Sequence, residues 1–496
     1  MTTQTKKKSL PSAATLGRIA IVALWALLFA ALLQRDYFVK TLELHEFKVL
    51  QQDRQEDFLG IHFRGERIGY VRNSYLPGEN GGMRLEQSAL MHLNILEQTY
   101  PVRLELTASL TSGLELEDFD FSLNSPFYQM QAQGRVEGSL VRYQLTTGGT
   151  SRNETLRLPE RPFLSINQRG FLLRQGLEPG EKIRVPYFDP VTLTGKESLV
   201  EYRGVVKELI KGRIHTLHHF SESFSGIRIS SWLDDQGRVI KEESPAGFVF
   251  LAEPKFQATS IVSRGQELLG SVSVPLQGTM PPLAGLQQVR YRITLPEDAV
   301  PPISRDRQLF ADGILTVHRE ALSLARGTAA CPGPEEELAD TPYIQSGHRE
   351  IVDLADSLTQ GAGDDLTKVQ RLAAWVYDSL EKRAVIGIPD AMSTLRSRMG
   401  DCNEHAALFA ALARSQSIPT RVVAGVTFQA GAFYYHAWNE VCLSNAWLSL
   451  DTTTNQMPAD LGHIKFVEGE TGEQIKIGSL LGRLEIEVLG GEILNQ

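Results

Sequence analysis

The hydrophobic period changes once along this chain, and that change limits the folds open to it. From Phe58 to about residue 255 apolar and polar residues alternate in short runs, among them Met91–Ile95, Val102–Ala108, Leu114–Phe121, Val136–Tyr143, Val200–Val206 and Ile227–Leu233. From about residue 347 apolar residues recur every three or four positions, as Ile351, Leu354, Ala355 and Leu358 do. Alternation buries one face of a strand, and the longer spacing buries one stripe of a helix. The pattern therefore predicts an antiparallel all-β domain over 58–255, with its first hairpin turning at Gly65-Glu66. A small β connector and loop follows over 256–345, where Pro281-Pro282, Pro301-Pro302 and Pro332-Gly333-Pro334 interrupt short strands.

The N-terminus has a different character. Residues 1–15 are polar and basic, and from Leu16 to about residue 34 the chain is apolar apart from Arg18. A run of this length suits an uncleaved signal anchor better than a buried helix. Lys6, Lys7, Lys8 and Arg18 precede it, so the N-terminus is expected to stay in the cytoplasm. The expectation is a single-pass inner-membrane protein: a cytoplasmic N-terminus (1–15), a transmembrane helix (16–34), a stalk (35–57) and a periplasmic bulk. With the C-terminal unit at 346–496, the fold class expected is a multidomain α+β chain behind a transmembrane helix.

Composition excludes some functions. The net charge of −9 and the lack of any basic cluster beyond Lys6-Lys7-Lys8 leave no face for nucleic acid. Three cysteines among 496 residues are too few for a disulfide scaffold. Cys331 is expected to be a free loop thiol, with pairing to Cys442 as the alternative in an oxidising compartment. His215, His218 and His219 point to both faces of one strand and read as ordinary strand histidines, not metal ligands. Asn153-Glu154-Thr155 fits a glycosylation acceptor, with nothing else to support one.

The chemistry concentrates between Gly400 and Asp451. Asp401 is placed to cap a helix that begins at Cys402 and continues through the small residues Ala406, Ala407, Ala410 and Ala411. At a helix N-terminus free backbone N–H groups favour a thiolate and can hold an oxyanion, so an acidic Cys402 is expected. His436 lies inside a later strand, and Asp451 ends the strand after it. A nucleophile, a base and a group that fixes the tautomer of the base are the parts of a thiol catalytic triad. Each residue alone has a plain structural reading: a small core cysteine, a satisfied strand histidine, a turn aspartate.

Their order and flanks resemble a known family. Gly400-Asp401-Cys402-x-Glu404-His405, Ile418-Pro419-Thr420-Arg421-Val422-Val423-x-Gly425, His436-Ala437-Trp438-x-Glu440-Val441 and Trp447 through Asp451-Thr452-Thr453 resemble the transglutaminase-like core of the papain-like thiol enzymes. The tail from Asn455 to Leu489 is similar to the extension of bacterial membrane-anchored members. The resemblance implies Cys402 as nucleophile, His436 as base then acid, Asp451 as orienter, and a protein or peptide amide as substrate. No cofactor or metal is implied: Asn403, not Trp, follows the cysteine, and no calcium loop appears. A zinc site from Asp401, Cys402 and His405 would lack a second ligand pair. The non-enzymatic alternative is a scaffold whose β domain binds an envelope partner or ligand. The side chain completing an oxyanion hole and the oligomeric state are not legible.

Overall fold

The computed structural model describes residues 56–493 except 79–80, 96–97, 165–171, 174–175, 225–226, 261–272, 297–298 and 323–334. Two compact units contain them: 55–204 together with 219–496, and Val205–His218 by itself. The second turns at Lys211-Gly212, both in the left-handed region (φ 50° and 76°).

The larger unit begins with a meander. Strands β1 (Glu56–Phe63), β2 (Glu66–Pro77), β3 (Met83–Ile95), β4 (Gln98–Leu110), β5 (Leu116–Ser125), β6 (Tyr128–Glu137), β7 (Leu140–Thr147) and β8 (Thr150–Arg157) pair each with the next. Strands β9 (Phe163–Leu164), β10 (Lys182–Asp189), β11 (Thr194–Ile210), β12 (Arg213–Phe224), β13 (Ile227–Leu233), β14 (Val239–Glu243) and β15 (Phe248–Ala252) continue the sheet. They join it where β15 lies antiparallel to β1, with Ile61 opposite Phe250. Alternation predicts most of these strands, sets the first hairpin turn one residue late (it is Arg64-Gly65, with Phe63 opposite Glu66) and misses another turn. Val136–Tyr143 is not one strand but the bend between β6 and β7, where Gly138 takes φ +62°. The alternating pattern runs straight through a two-residue turn and hides it.

A second sheet is built from distant parts of the chain. Its strands are β16 (Val274–Gln277), β17 (Leu286–Thr294), β18 (Gln308–Ala311), β19 (Ile314–His318), β22 (Thr420–Gln429), β23 (Ala432–Leu443), β24 (Ala446–Leu450), β25 (His463–Glu468) and β26 (Glu485–Ile493). A two-stranded pair, β20 (Glu381–Lys382) and β21 (Met399–Gly400), stands apart. β16 bridges the halves, antiparallel to β23 and parallel to β26. Four helices cover the β22–β24 end: α1 (Arg349–Thr359), α2 (Asp365–Ser379), α3 (Ala391–Ser397) and α4 (Cys402–Ser415). Each starts on a side-chain cap, from His348, Asp364, Asp390 and Asp401 in turn. α4 is the central one: Ala406 through Ala413 are all buried, and Asn439 Nδ2 donates to the Ala406 carbonyl at 3.0 Å, fastening the helix to β23.

Two expectations are corrected here. The described residues are mostly β, with 52% strand against 18% helix, not an α+β chain behind a membrane helix. The reason is that β16–β19 and β26, drawn from the connector and the tail, extend the sheet of the C-terminal core. The longest of these helices, α2, has 15 residues, short of the ~20 that cross a bilayer. Among the described residues no helix is long and apolar enough to span a membrane. The run 16–34 lies outside them, and a single-pass inner-membrane placement is not supported.

The meander packs on the stretch that leads into α4. Arg396 donates to the Gly148 carbonyl in the β7–β8 turn, and Arg152 pairs with Asp340 at 3.0 Å. Tyr343 lies in the core formed by β4–β7, and the Arg383 guanidinium sits 4.5 Å from the Phe127 ring centroid.

Candidate active site

The site is assembled from one helix start and three strands. Asp401 caps α4 reciprocally: its Oδ1 accepts from Asn403 N at 3.0 Å, and Glu404 Oε2 accepts from Asp401 N at 3.0 Å. That fixes Cys402 as the first residue of the helix, as the sequence predicts. Cys402 packs against the core that includes Ala437, next to His436 on β23, and the Ala437 N–H favours its thiolate form.

β22 aligns the two neighbouring strands. Gly425 faces His436 across one edge, and Thr427, two residues on and so on the same face, faces His463 across the other. Gly425 is needed for the close approach: a Cβ there would lie 1.9 Å from the Ile464 carbonyl oxygen. Asp451 follows β24 in a tight loop closed by the pair Asp451 N to Gln456 O (2.8 Å) and Gln456 N to Asp451 O (3.0 Å). This loop turns the carboxylate back to the sheet. Its Oδ2 accepts from His436 Nε2 at 2.9 Å. His436 and Asp451 are therefore brought together, and Cys402 lies against the strand that carries His436.

Sequence reasoning missed the rest of the shell. Asp451 Oδ2 also meets His463 Nε2 at 3.3 Å and accepts from the Thr454 hydroxyl at 2.5 Å, while Oδ1 accepts from Thr453 N at 2.8 Å. The available signal was the three-residue spacing of Asp460 and His463 within the tail. Trp438 encloses both imidazoles, with ring centroids 6.3 Å from His436 and 5.2 Å from His463.

Electrostatics partly reverse the expectation for the thiol. Burial pushes the Cys402 thiol well above its ordinary value and the Asp401 charge adds to this; the Ala437 N–H opposes, and Glu404 and Asp451 push upward again. The balance at Cys402 is thus toward the neutral thiol, not the thiolate, because desolvation of this half-buried residue and the neighbouring carboxyls outweigh a helix N-terminus. Burial would also raise Asp451, but the hydrogen bonds from His436 and His463 overcome it and hold the carboxyl far below its usual range.

His436, Asp451 and His463 present ligand atoms within 4.8 Å of one another, the spacing of a metal trio. Their Nε2–Oδ2 distances of 2.9 and 3.3 Å are hydrogen-bond lengths. A second acidic trio, Asp306, Glu440 and Glu468, encloses the cations of Arg421 and Lys465. Asp401 and His405 of the zinc alternative are engaged locally, the histidine through Nδ1 to the Asp401 carbonyl at 2.7 Å. Cys402 is a free thiol and Cys442 is disulfide-bonded; Cys331 lies outside the described residues. Of the strand histidines, His219 stacks on Trp232 with centroids 4.7 Å apart.

Residues 352–452, the stretch with Cys402, His436 and Asp451, match the model of the transglutaminase-like superfamily. A comparison with curated proteins found no match. Similar solved structures include a candidate cysteine protease from Cytophaga hutchinsonii, at 16% identity over 42% of this chain and 90% of that one (TM-score 0.30). Another is a β-barrel-like protein of a domain of unknown function from Brucella abortus, at 11% identity over 40% and 94% (TM-score 0.32). A candidate protease from Parabacteroides distasonis is 11% identical over 69% and 68% (TM-score 0.21).

Proposed function

We propose that residues 346–496 form a thiol acyl-transfer unit, with Cys402 as nucleophile, His436 as base and then acid, and Asp451 as orienter. The observation that carries this reading is the His436 Nε2 to Asp451 Oδ2 hydrogen bond of 2.9 Å. A proton held on Nε2 leaves Nδ1 as the basic nitrogen of the ring, and the sulfur lies beside the same strand at Ala437. Because burial keeps the resting thiol neutral, His436 takes its proton as the sulfur attacks, so no preformed thiolate is required.

The substrate is a carboxamide side chain or peptide bond of a protein or peptide. The Cys402 S–H proton passes to His436 Nδ1 as the S–C bond forms, and the oxyanion developing on the substrate carbonyl oxygen accepts from backbone N–H groups at the start of α4, that of Cys402 among them. The C–N bond then breaks, and the amine or ammonia leaves with the proton from His436. A thioester remains. Water resolves it to an acid, and an amine resolves it to a new amide. The meander at 58–255 is assigned control of access, since its β5–β6 and β7–β8 turns contact the segment before Cys402.

The acyl donor p-nitrophenyl acetate tests the reading without knowledge of the natural substrate. The native chain should release one nitrophenolate per free Cys402 in a burst, and Cys402→Ala should release none. A full burst from Cys402→Ala would overturn the assignment. The scaffold alternative has one observation in its favour, the enclosed and weakly acidic thiol; it predicts no burst from the native chain.

A further inference from the structure

His463 is a second imidazole on the carboxylate that orients His436, and the reaction as written leaves it unused. It opens β25 and is buried, its side chain only 2% exposed. Both ring nitrogens face carboxylates: Nε2 lies 3.3 Å from Asp451 Oδ2, and Nδ1 lies 2.9 Å from Asp460 Oδ1. Thr427 Oγ1, on β22, is also 3.3 Å from Nε2.

Donors fill the other positions on both acids. Asp460 Oδ1 accepts from Gly462 N at 2.9 Å and Oδ2 from Gln456 Nε2 at 3.2 Å. Asp451 accepts from the Thr453 N–H and the Thr454 hydroxyl. Carboxyls that accept at both oxygens are ionised. A ring nitrogen without its hydrogen would then aim a lone pair at an anion, so the arrangement favours a hydrogen on both nitrogens of His463. The titratable groups facing the ring are Asp451 after β24, Asp460 in the loop before β25, and His436 on β23 at 5.8 Å between centroids; Trp438 and Thr427 are neutral. Burial alone would lower His463, yet the hydrogen bonds to Asp451 and Asp460 raise it above 6.5. Burial likewise opposes ionisation of Asp460, and His463 holds that carboxyl low all the same.

We propose that His463, clamped by Asp460, is a positioning residue: a buried imidazolium that shares Asp451 with His436 and limits how strongly Asp451 draws a proton onto His436. This rests on the triad reading above. When His436 takes the thiol proton, Asp451 lies between two cations, and the fixed charge on His463 opposes the new one. The resting pair therefore stays as thiol and imidazole, and the protonated His436 readily gives its proton to the leaving amine. The two ring centroids are 5.8 Å apart, close enough in a buried site for one charge to oppose the other.

The test is the pH profile of Cys402 alkylation by iodoacetamide in the full chain, read by mass spectrometry of the Cys402 peptide. His463→Gln keeps an N–H for Asp451 and removes the charge, so the alkylation midpoint should fall by about one to two pH units. Asp460→Asn should move it the same way by less, and serves if His463→Gln fails to fold. An unchanged midpoint in whichever folded variant is measured overturns the proposal. His436→Ala separates the two readings. If it leaves the profile untouched the triad itself is lost; if it moves the profile while His463→Gln does not, only the role of His463 fails. Histidine-selective 15N NMR of the native chain at pH 8 gives an independent check: one ring should carry both protons, and its absence would also overturn the proposal.

Discussion

Asp451→Asn tests the centre of the site with almost no change of shape. The native carboxylate takes five donors: His436 Nε2, His463 Nε2 and the Thr454 hydroxyl at Oδ2, with Thr453 N and Thr454 N at Oδ1. An amide must put its NH2 at one of those ends. With NH2 at the Oδ1 position it opposes the Thr453 N–H, a backbone donor that cannot rotate away. With NH2 at the Oδ2 position it opposes two imidazole N–H groups. Either way a buried donor loses its acceptor, at about 1–3 kcal/mol, and the His463 cation loses one of its two anions. His436 is then free to move its proton to Nδ1, the nitrogen that must be bare to receive the thiol proton. Loss of the correct tautomer costs on the order of 10³–10⁴ in rate in comparable triads, or about 4–5.5 kcal/mol. The assay is the nitrophenolate burst, with circular dichroism to show that the variant is folded. A folded Asp451→Asn protein whose acylation rate lies within a factor of three of the native one would refute the argument.

Three further outcomes follow from the same geometry. Lys465 is buried with Glu440 and Glu468, both at 2.8 Å, and with Asp306 at 3.3 Å. Lys465→Met leaves Asp306 and Glu440 with Arg421, and Glu468 with Arg305 and Arg421, and should cost about 3–5 kcal/mol by urea denaturation; a change under about 0.5 kcal/mol would discount the network. Burial opposes ionisation of Asp451 and Asp460, but their hydrogen bonds hold both folded carboxyls below the ordinary 3.8. The stability they contribute is present above the unfolded value and is lost as pH falls through the folded ones. The urea midpoint should therefore drop on acidification below about pH 4, and the drop should be smaller in Asp451→Asn. For Cys402 the shift has the opposite sense, upward from 9.0 through burial. Iodoacetamide should label it slowly at pH 6 and faster only above pH 9, whereas fast labelling at pH 6 would indicate a preformed thiolate.

How much of this could be read from residues alone varies with distance along the chain. The cap and start of α4 are local, so Asp401 beside Cys402 was enough to find them. The strand pattern was also local, but a two-residue turn at Gly138-Ser139 left the alternation unbroken and went unseen. The mostly-β character was hidden for another reason. β16, β17, β19 and β26 look like a connector and a tail until the sheet that unites them is known, and hydrogen bonds between strands leave no periodic trace across two hundred residues. The acidity expected of Cys402 followed from the helix N-terminus; enclosure of the sulfur and the nearby carboxyls decided otherwise.

The sequence by itself determined which residues can do chemistry here, because a thiol, an imidazole and a carboxylate owe that capacity to their side chains and to the flanks that set their local backbone. Tertiary structure alone decided what surrounds them. β22 brings His436 and His463 onto one face by pairing with β23 on one side and β25 on the other, and the close approach at Gly425 permits it. The protonation states follow from that placement. Desolvation and neighbouring charge act through space, so the upward push on Cys402 and His463 and the downward hold on Asp451 are properties of the packed molecule and not of the order of its residues.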